Sequence, residues 1–181
     1  MAAFLQHGYL ATTIRAVADA AGVDQALVLH YFGSKDGLFA AALCAGVPTG
    51  RLTALVDSGA LSDLGIRLVR GYLSMWEDPD TFGRLRVILG AVSMSPSAAE
   101  MVVQFASEAV IQPMSAALGS SDAQLRANLA GSHLIGTAIA RYLLKVEPLA
   151  SLDSEQLVAL VGPVVQHYLT GEIPSGSLSP G

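Results

Sequence analysis

The feature that most constrains this chain is a series of four short helical patterns within its first 45 residues. Two of these helices are expected to end at glycines, Gly8 and Gly22, because glycine tolerates the left-handed conformation that commonly closes a helix. The next three are expected to begin at side chains that can accept a hydrogen bond from a backbone N–H. These predicted N-caps are Thr12 or Thr13, Asp24 and Ser34. The pattern predicts a small unit of four short helices that are connected by tight turns.

The turn at residues 21–23 indicates what such a unit could bind. Gly22 can adopt the positive φ that a tight turn needs, and Val23 can fill the angle between the helices on either side. Two short helices joined in this way form a helix-turn-helix, whose second helix fits a DNA major groove about 12 Å wide. We therefore expect the N-terminal end of the helix that begins at Gln25 to face base edges.

Residues 7–43 resemble the signature of the tetracycline-repressor family. The matching positions, in order and spacing, are Gly8-Tyr9, Thr12-Thr13, Ala21-Gly22-Val23, Tyr31-Phe32, Ser34-Lys35 and Leu38. The rest of the chain is similar only in length and helical character. The resemblance implies a transcriptional regulator, commonly a repressor, that binds a palindromic double-stranded DNA operator as a homodimer and is released by a small molecule.

The resemblance also implies a set of DNA-binding residues: Thr12, Thr13, Gln25, Ala26, Leu27, His30, Tyr31 and Lys35. Thr13 opens a helix whose N-terminus can bind a phosphate, and Lys35 resembles a phosphate-contacting lysine. Gln25 could pair with adenine, and Leu27 could meet a thymine methyl group. Two alternatives stay open: Thr12 can serve as a cap without a ligand, and Tyr31 can be a core aromatic.

Beyond the first 45 residues the chain continues to predict helices, after a break at residues 46–50. We expect an all-α fold in three parts: a helix-turn-helix DNA-binding domain at 1–46, a helical-bundle ligand and dimerisation domain at 47–172, and a disordered tail at 173–181. The tail is rich in Pro, Ser and Gly and cannot bury much apolar surface. The first helix is shorter than the resemblance implies, and we expect it to be truncated.

The last two long helical patterns are expected to form the homodimer interface. Their apolar residues follow helical spacing, and small residues among them allow close approach of a second copy. Hydrophobic residues make up 52% of the chain and charged residues 14%. A chain of this composition has more apolar surface than the core of one monomer can bury, so we expect a second copy to cover the rest. The predicted interface comprises Leu125, Leu129, Gly136, Ala140, Leu157, Leu160, Val161, Val164 and Tyr168.

The middle helices are expected to enclose a pocket for a small apolar or aromatic effector. Bulky aromatics and flexible methionines suit a wall that adapts to varied ligands. The predicted pocket residues are Tyr72, Met75, Trp76, Phe82, Leu89, Met101, Phe105 and His133. Ordinary core packing is the alternative for each of them.

Several other classes of protein are disfavoured. The chain has no nucleophile elbow, zinc-protease, P-loop or dinucleotide-binding motif, so we expect no enzyme and no cofactor. Its four histidines show no metal-ligand spacing, and Cys44 is its single cysteine, which fits a reducing cytoplasm. No apolar run is long enough for a membrane span, and the N-terminus lacks the basic region of a signal peptide.

Charge supports a second hypothesis for the function. The net charge is −5, and the first 46 residues carry Arg15 and Lys35 against Asp19, Asp24 and Asp36. DNA affinity depends on cations that displace phosphate counterions. The alternative is therefore a helical small-molecule-binding or interaction protein whose DNA reader is vestigial.

Overall fold

A computed structural model of the protein describes residues 2–92 and 96–172, and within these ranges the chain is helical with no strand. The tail expected at 173–181 lies outside the described residues. The α-helices are α1 (Ala2–Ala11), α2 (Ile14–Ala21), α3 (Gln25–Phe32), α4 (Lys35–Cys44), α5 (Gly50–Asp57), α6 (Leu64–Glu77), α7 (Pro79–Val92), α8 (Pro96–Ala106), α9 (Gln112–Leu118), α10 (Ala123–Ala138) and α11 (Ser154–Thr170). The all-α prediction is confirmed.

The predicted caps of the first four helices are confirmed, with one change. Side-chain oxygens of Thr13, Asp24 and Ser34 accept hydrogen bonds from backbone N–H groups two or three residues later, at 3.1, 2.6 and 3.1 Å. They satisfy donors that would otherwise lack a partner in the first turn. The stop predicted at Gly8 is wrong, because α1 continues through it to Ala11.

The turn between α2 and α3 closes as a Schellman motif. Gly22 has a φ of 67°, and the N–H of Val23 donates to the Ala18 carbonyl at 3.0 Å. Val23 is 40% exposed, so the prediction that it fills the angle between the helices is wrong. Ala18 and Val28 are instead buried in the shared core of this region, together with Phe4 and Leu38.

The chain forms two compact units: unit 1 comprises Met1–Pro48 and Asp78–Glu108, and unit 2 comprises Thr49–Glu77 and Ala109–Gly181. This division differs from a boundary at residue 46, because α7 and α8 pack against α4. Ala40 and Ala98 are fully buried where α4 meets α8, and such small side chains let two helices approach closely.

Unit 2 is built around α6 and α11, whose backbones touch. A Cβ added at Gly65 would lie 2.5 Å from the Gln166 nitrogen, and one added at Gly162 would lie 2.9 Å from the Ile66 side chain. Any larger residue at these two positions would therefore separate the helices. The Gln166 side chain also accepts a hydrogen bond from the Gly65 N–H at 2.7 Å, which fixes the register of the crossing.

Two π-helical segments interrupt the long helical patterns of the second half of the chain, at Ser107–Ile111 and Ile139–Leu143. The first lies directly before α9, which has Pro113 in its first turn. Proline has no N–H to continue the ordinary helical bonding, and π-helical turns often occur where that bonding is disturbed. The sequence pattern predicts helices at Ser97–Leu118, with a kink at Pro113, and at Asp122–Val146, and it does not indicate the π-helical turns.

Candidate DNA-binding surface and helical body

Helix α3, the predicted recognition helix, exposes the residues of its first turn. Five of the predicted DNA-binding residues on it are exposed: Gln25, Ala26, Leu27, His30 and Tyr31. Val28 is the buried residue of this helix, and it anchors α3 to the core of unit 1. The first turn of α3 faces solvent, so the exposed side chains of Gln25 and Leu27 are accessible to a binding partner.

Tyr31 is not a core aromatic. It is 67% exposed, and its ring lies 5.4 Å from the ring of His30 in an edge-to-face arrangement. Phe32, the next residue, is half-buried and packs against the core of unit 1. Of the aromatic pair, Tyr31 therefore lies on the surface and Phe32 packs towards the interior.

The two threonines before α2 also differ. Thr13 is exposed, and its oxygen accepts from the Ala16 N–H, which leaves its own O–H able to donate to a phosphate. Thr12 is 2% exposed, and its hydroxyl donates to the Ala3 carbonyl at 3.1 Å. The structure therefore does not place Thr12 at the DNA-facing surface, because its hydroxyl ties the end of α1 to its beginning.

Lys35 lies at the start of α4 in a small polar network that the sequence pattern did not indicate. Its ammonium group donates to the Leu10 carbonyl at 3.2 Å and lies 4.5 Å from the centre of the Tyr9 ring. The Tyr9 hydroxyl donates to the carboxylate of Asp36. Lys35 thus satisfies a carbonyl at the C-terminal end of α1, and it keeps two further donors for a phosphate.

Arg15 is the second cationic side chain of helices α1–α4. Its side chain and that of Asp19 are both highly exposed, and they approach to 4.0 Å on the same face of α2. An ion pair this open to water is worth little, so Arg15 can exchange its partner for a phosphate at small cost. Arg15 and Lys35 are the only Lys or Arg side chains of helices α1–α4.

The predicted pocket residues are divided between the two units. Tyr72, Met75, Trp76 and His133 belong to unit 2, whereas Phe82, Leu89, Met101 and Phe105 belong to unit 1. In unit 2 the Trp76 ring is buried and stacks on Tyr142, with centroids 5.4 Å apart and planes 3° apart. Tyr72 packs edge-on against Trp76, and burial raises the pKa of Tyr72 to about 12. These aromatics form a closed packing cluster.

An apolar cavity of about 40 Å³ lies elsewhere in unit 2. None of the eight predicted pocket residues lines it. Its walls are Leu52, Leu68, Val110, Ile111, Met114, Ala127, Ala130, Gly131, Leu134 and Leu169. Val110 and Ile111 belong to the first π-helical segment, which therefore forms part of the wall. Sequence spacing missed this site because its lining consists of ordinary core residues from six different helical segments.

Unit 1 contains an open groove of about 350 Å³ between the α3–α4 region and α8. Two predicted pocket residues, Met101 and Phe105, line it. The other lining residues are Tyr31, Phe32, Ala41, Cys44, Ala45, Gln104 and Glu108. Phe82 and Leu89 are half-buried on α7 and line neither space.

The predicted dimer residues on α10 and α11 fall into three groups. Five are exposed: Leu125, Leu129, Gly136, Leu160 and Val164. Ala140 and Tyr168 are half-buried, and the Tyr168 ring lies 5.8 Å from that of His133. Leu157 and Val161 are buried in the core of unit 2, so the structure does not leave them available to a second copy. Their helical stripe faces the chain's own interior.

Within residues 2–92 and 96–172, no group of three or more His, Cys, Asp or Glu side chains is placed to hold a metal ion. No helix in these ranges combines the length and apolar character needed to cross a membrane.

Comparison with known proteins agrees with this architecture. Residues 62–169 match the family model described as tetracyclin repressor-like, C-terminal domain, and residues 1–42 match that of bacterial regulatory proteins, tetR family. The chain is 35% identical to a solved TetR-family regulator from Streptomyces coelicolor A3, with a TM-score of 0.56, and the match covers 93% of this chain and 88% of that one.

The HTH-type transcriptional repressor AcnR of Corynebacterium glutamicum is 31% identical over 86 residues, which is 48% of this chain and 41% of that protein. AcnR of Corynebacterium efficiens matches with the same identity and coverage. The chain thus matches less than half the length of these curated relatives. The two family models together cover well over half of the chain, and on that ground the protein belongs to the TetR family of bacterial transcriptional regulators.

Proposed function

We propose that this chain is a DNA-binding repressor that reads a palindromic operator through α3. The observation that carries the proposal is the outward leading edge of α3, with Gln25, Ala26 and Leu27 exposed on a helix anchored by Val28. The N-terminus of α2, with the free O–H of Thr13, and the ammonium group of Lys35 supply phosphate contacts that fix the register. The protein acts in the bacterial cytoplasm, where its DNA lies, and has no catalytic role.

The repressor acts as a homodimer through α10 and α11. Five of the apolar or small residues predicted there are exposed, and apolar stripes on adjacent helices are a surface that a two-fold copy can cover. A dimer presents two copies of α3 to half-sites separated by about 34–36 Å, or a multiple of that spacing. Palindromic operators match this symmetry.

A small apolar effector releases the repressor by binding in unit 2. The cavity there is apolar but measures about 40 Å³, far below the roughly 300 Å³ at which small-molecule sites in proteins begin. An effector would therefore have to widen the cavity, and we infer that the wall that gives way is the π-helical segment that carries Ile111, because its bonding departs from that of an ordinary α-helix. Such a ligand shifts the protein between states only in proportion to its difference in affinity for them.

A gel shift tests the DNA-binding proposal. The probe is the DNA upstream of the reading frame, and salt is varied at fixed protein concentration. We expect a specific shift whose affinity falls as salt rises, since phosphate contacts release counterions. The absence of a specific shift at low salt would contradict the proposal and favour a helical ligand-binding or interaction protein with a vestigial reader. The observation behind that alternative is the scarcity of cations, with Arg15 already beside Asp19.

A further inference from the structure

The groove of unit 1 has a lining that suits a small molecule, and the proposed DNA-binding function assigns no ligand to it. Its floor and walls are mainly apolar, and aromatic rings of Tyr31, Phe32 and Phe105 line it together with the Met101 side chain. Its volume of about 350 Å³ falls in the range of small-molecule sites in proteins, about 300–1,000 Å³. Unlike the cavity of unit 2, it can take a ligand of several rings without expansion.

The groove carries one negative charge and no positive one. Glu108 lies at the end of its lining, and the Gln104 amide donates to one carboxylate oxygen at 2.9 Å. Among the residues that the structure describes, no cation forms an ion pair with Glu108, and its second oxygen accepts no hydrogen bond. The Cys44 thiol adds no second charge, because burial raises its pKa to about 11. No Lys, Arg or His lines the groove.

This arrangement selects for one class of occupant. The Glu108 carboxylate would repel an anionic ligand. A neutral apolar ligand would make no hydrogen bond to that carboxylate. An ammonium ion can donate to the open oxygen of Glu108 in a charge-assisted hydrogen bond. Aromatic rings attached to it can pack against Phe105 and the polarisable sulfur of Met101.

We propose that the groove of unit 1 is a binding site for an aromatic ammonium ion, with the ammonium group on Glu108 and the rings against Met101 and Phe105. The site belongs to the unit that carries α3, and it is separate from the effector cavity of unit 2. Tyr31 is a wall of the groove and also an exposed residue of α3. A bound ion therefore touches the last turn of the recognition helix.

The test is a titration of the full chain, labelled at its methionine methyl groups, with 2-naphthylmethylammonium followed by NMR. The matched probe is 2-naphthalenemethanol, which has the same rings and no charge. We expect the Met101 methyl signal to shift in a saturable way, because a naphthalene ring beside it changes its local field. The ammonium should bind about 3-fold more tightly than the alcohol, because both can donate a hydrogen bond to the exposed Glu108 carboxylate but only the ammonium adds the attraction between opposite charges.

Two variants complete the experiment. Glu108→Gln should reduce ammonium affinity about 3-fold and affect the alcohol less, because a glutamine oxygen still accepts a hydrogen bond, whereas Glu100→Gln should change neither. Glu100 is a suitable control because it is exposed on α8 and does not line the groove. Ala41→Leu should block both probes by filling the groove.

Equal affinities for the two probes, or an unchanged Glu108→Gln variant, would overturn the proposal. So would shifts confined to Met75 and Met114, which belong to unit 2. The fluorescence of Trp76, the single tryptophan, reports on unit 2 separately. Failure of the groove site can therefore be told apart from failure of the effector cavity, and neither readout depends on DNA.

Discussion

The ammonium group of Lys35 lies 3.2 Å from the carbonyl oxygen of Leu10 and donates a hydrogen bond to it. This contact joins the start of α4 to the end of α1, where a helix has carbonyl groups without partners and a negative dipole end. Lys35, which the family resemblance implies as a phosphate contact, therefore also helps to hold α1 against α4.

Replacement of Lys35 should weaken the fold as well as DNA binding. Lys35→Gln removes the charge-assisted bond to Leu10 and the cation above the Tyr9 ring, so we expect the free energy of unfolding to fall by about 1–2 kcal/mol. Arg15→Gln removes only an exposed pair and should cost less than about 0.5 kcal/mol. Urea unfolding followed by circular dichroism measures both. Equal stability of the two variants would show that the Lys35 contact contributes nothing to the fold.

Gln25 and Arg15 should affect DNA binding in different ways. Gln25→Ala should cost about 1–3 kcal/mol on the operator, relax preference at one base pair, and leave the salt dependence unchanged. Arg15→Gln should weaken binding to all sequences alike and lower the salt slope by about 1. Gel shifts on the operator and on single-base variants, at several salt concentrations, separate the two patterns. A uniform loss for Gln25→Ala would show that Gln25 contacts only the backbone.

The turn glycine should not tolerate a side chain. Gly22 has a φ of 67°, so Gly22→Ala should destabilise the protein by about 1 kcal/mol through backbone strain, although nothing lies within 4 Å of the added Cβ. Gly83→Ala is the matched control, because Gly83 lies within α7 with equally open space and no positive φ. It should stabilise by about 0.5–1 kcal/mol. Thermal unfolding measures both, and the same sign for the two changes would contradict the strain argument.

Cys44 should make the protein sensitive to alkaline pH. The side chain is 1% exposed, and burial raises its pKa to about 11, whereas an unfolded cysteine titrates near about 8.5. Between these values the unfolded chain has lost a proton that the native state retains, so the free energy of unfolding falls as pH rises. The slope from this group approaches at most about 1.4 kcal/mol per pH unit.

Cys44→Ala should remove that slope. The variant loses some packing at every pH, so the quantity to compare is the difference between wild type and variant at pH 7 and at pH 10, from urea unfolding. We expect the difference to shrink at pH 10. Tyr72 and Tyr142, whose pKa values burial raises to about 12, contribute equally to both proteins. If the free energies of unfolding of wild type and variant changed in parallel with pH, the native state would tolerate the Cys44 thiolate, and the prediction would be wrong.

Leu160 should be needed for dimerisation. It is 63% exposed on α11, within the proposed interface, so Leu160→Glu should give a monomer with an unchanged helical signal. Val103→Glu is the control, because Val103 is 67% exposed and lies on α8, which belongs to unit 1 and not to the unit that contains α10 and α11. Sedimentation equilibrium measures the mass of each. A dimer that survives Leu160→Glu, or one that Val103→Glu disrupts, would place the interface elsewhere.

The sequence by itself determined the local structure of the reader. Thr13, Asp24 and Ser34 cap their helices because each needs only a backbone N–H two or three residues away, and Gly22 closes α2 by its own conformational freedom. The family signature rests on these local features, which explains why residues 7–43 sufficed to predict both fold and family.

Only the tertiary structure decided which apolar residues face inward and where ligands can fit. Leu157 and Leu160 have the same apolar chemistry and lie on the same helix, yet one is buried in unit 2 and the other is exposed. Helical spacing could not decide which stripe of α11 meets its own core, because that depends on the close crossing at Gly65 and Gly162. The groove beside Glu108 likewise arises from helices distant in sequence, so no local pattern could predict it.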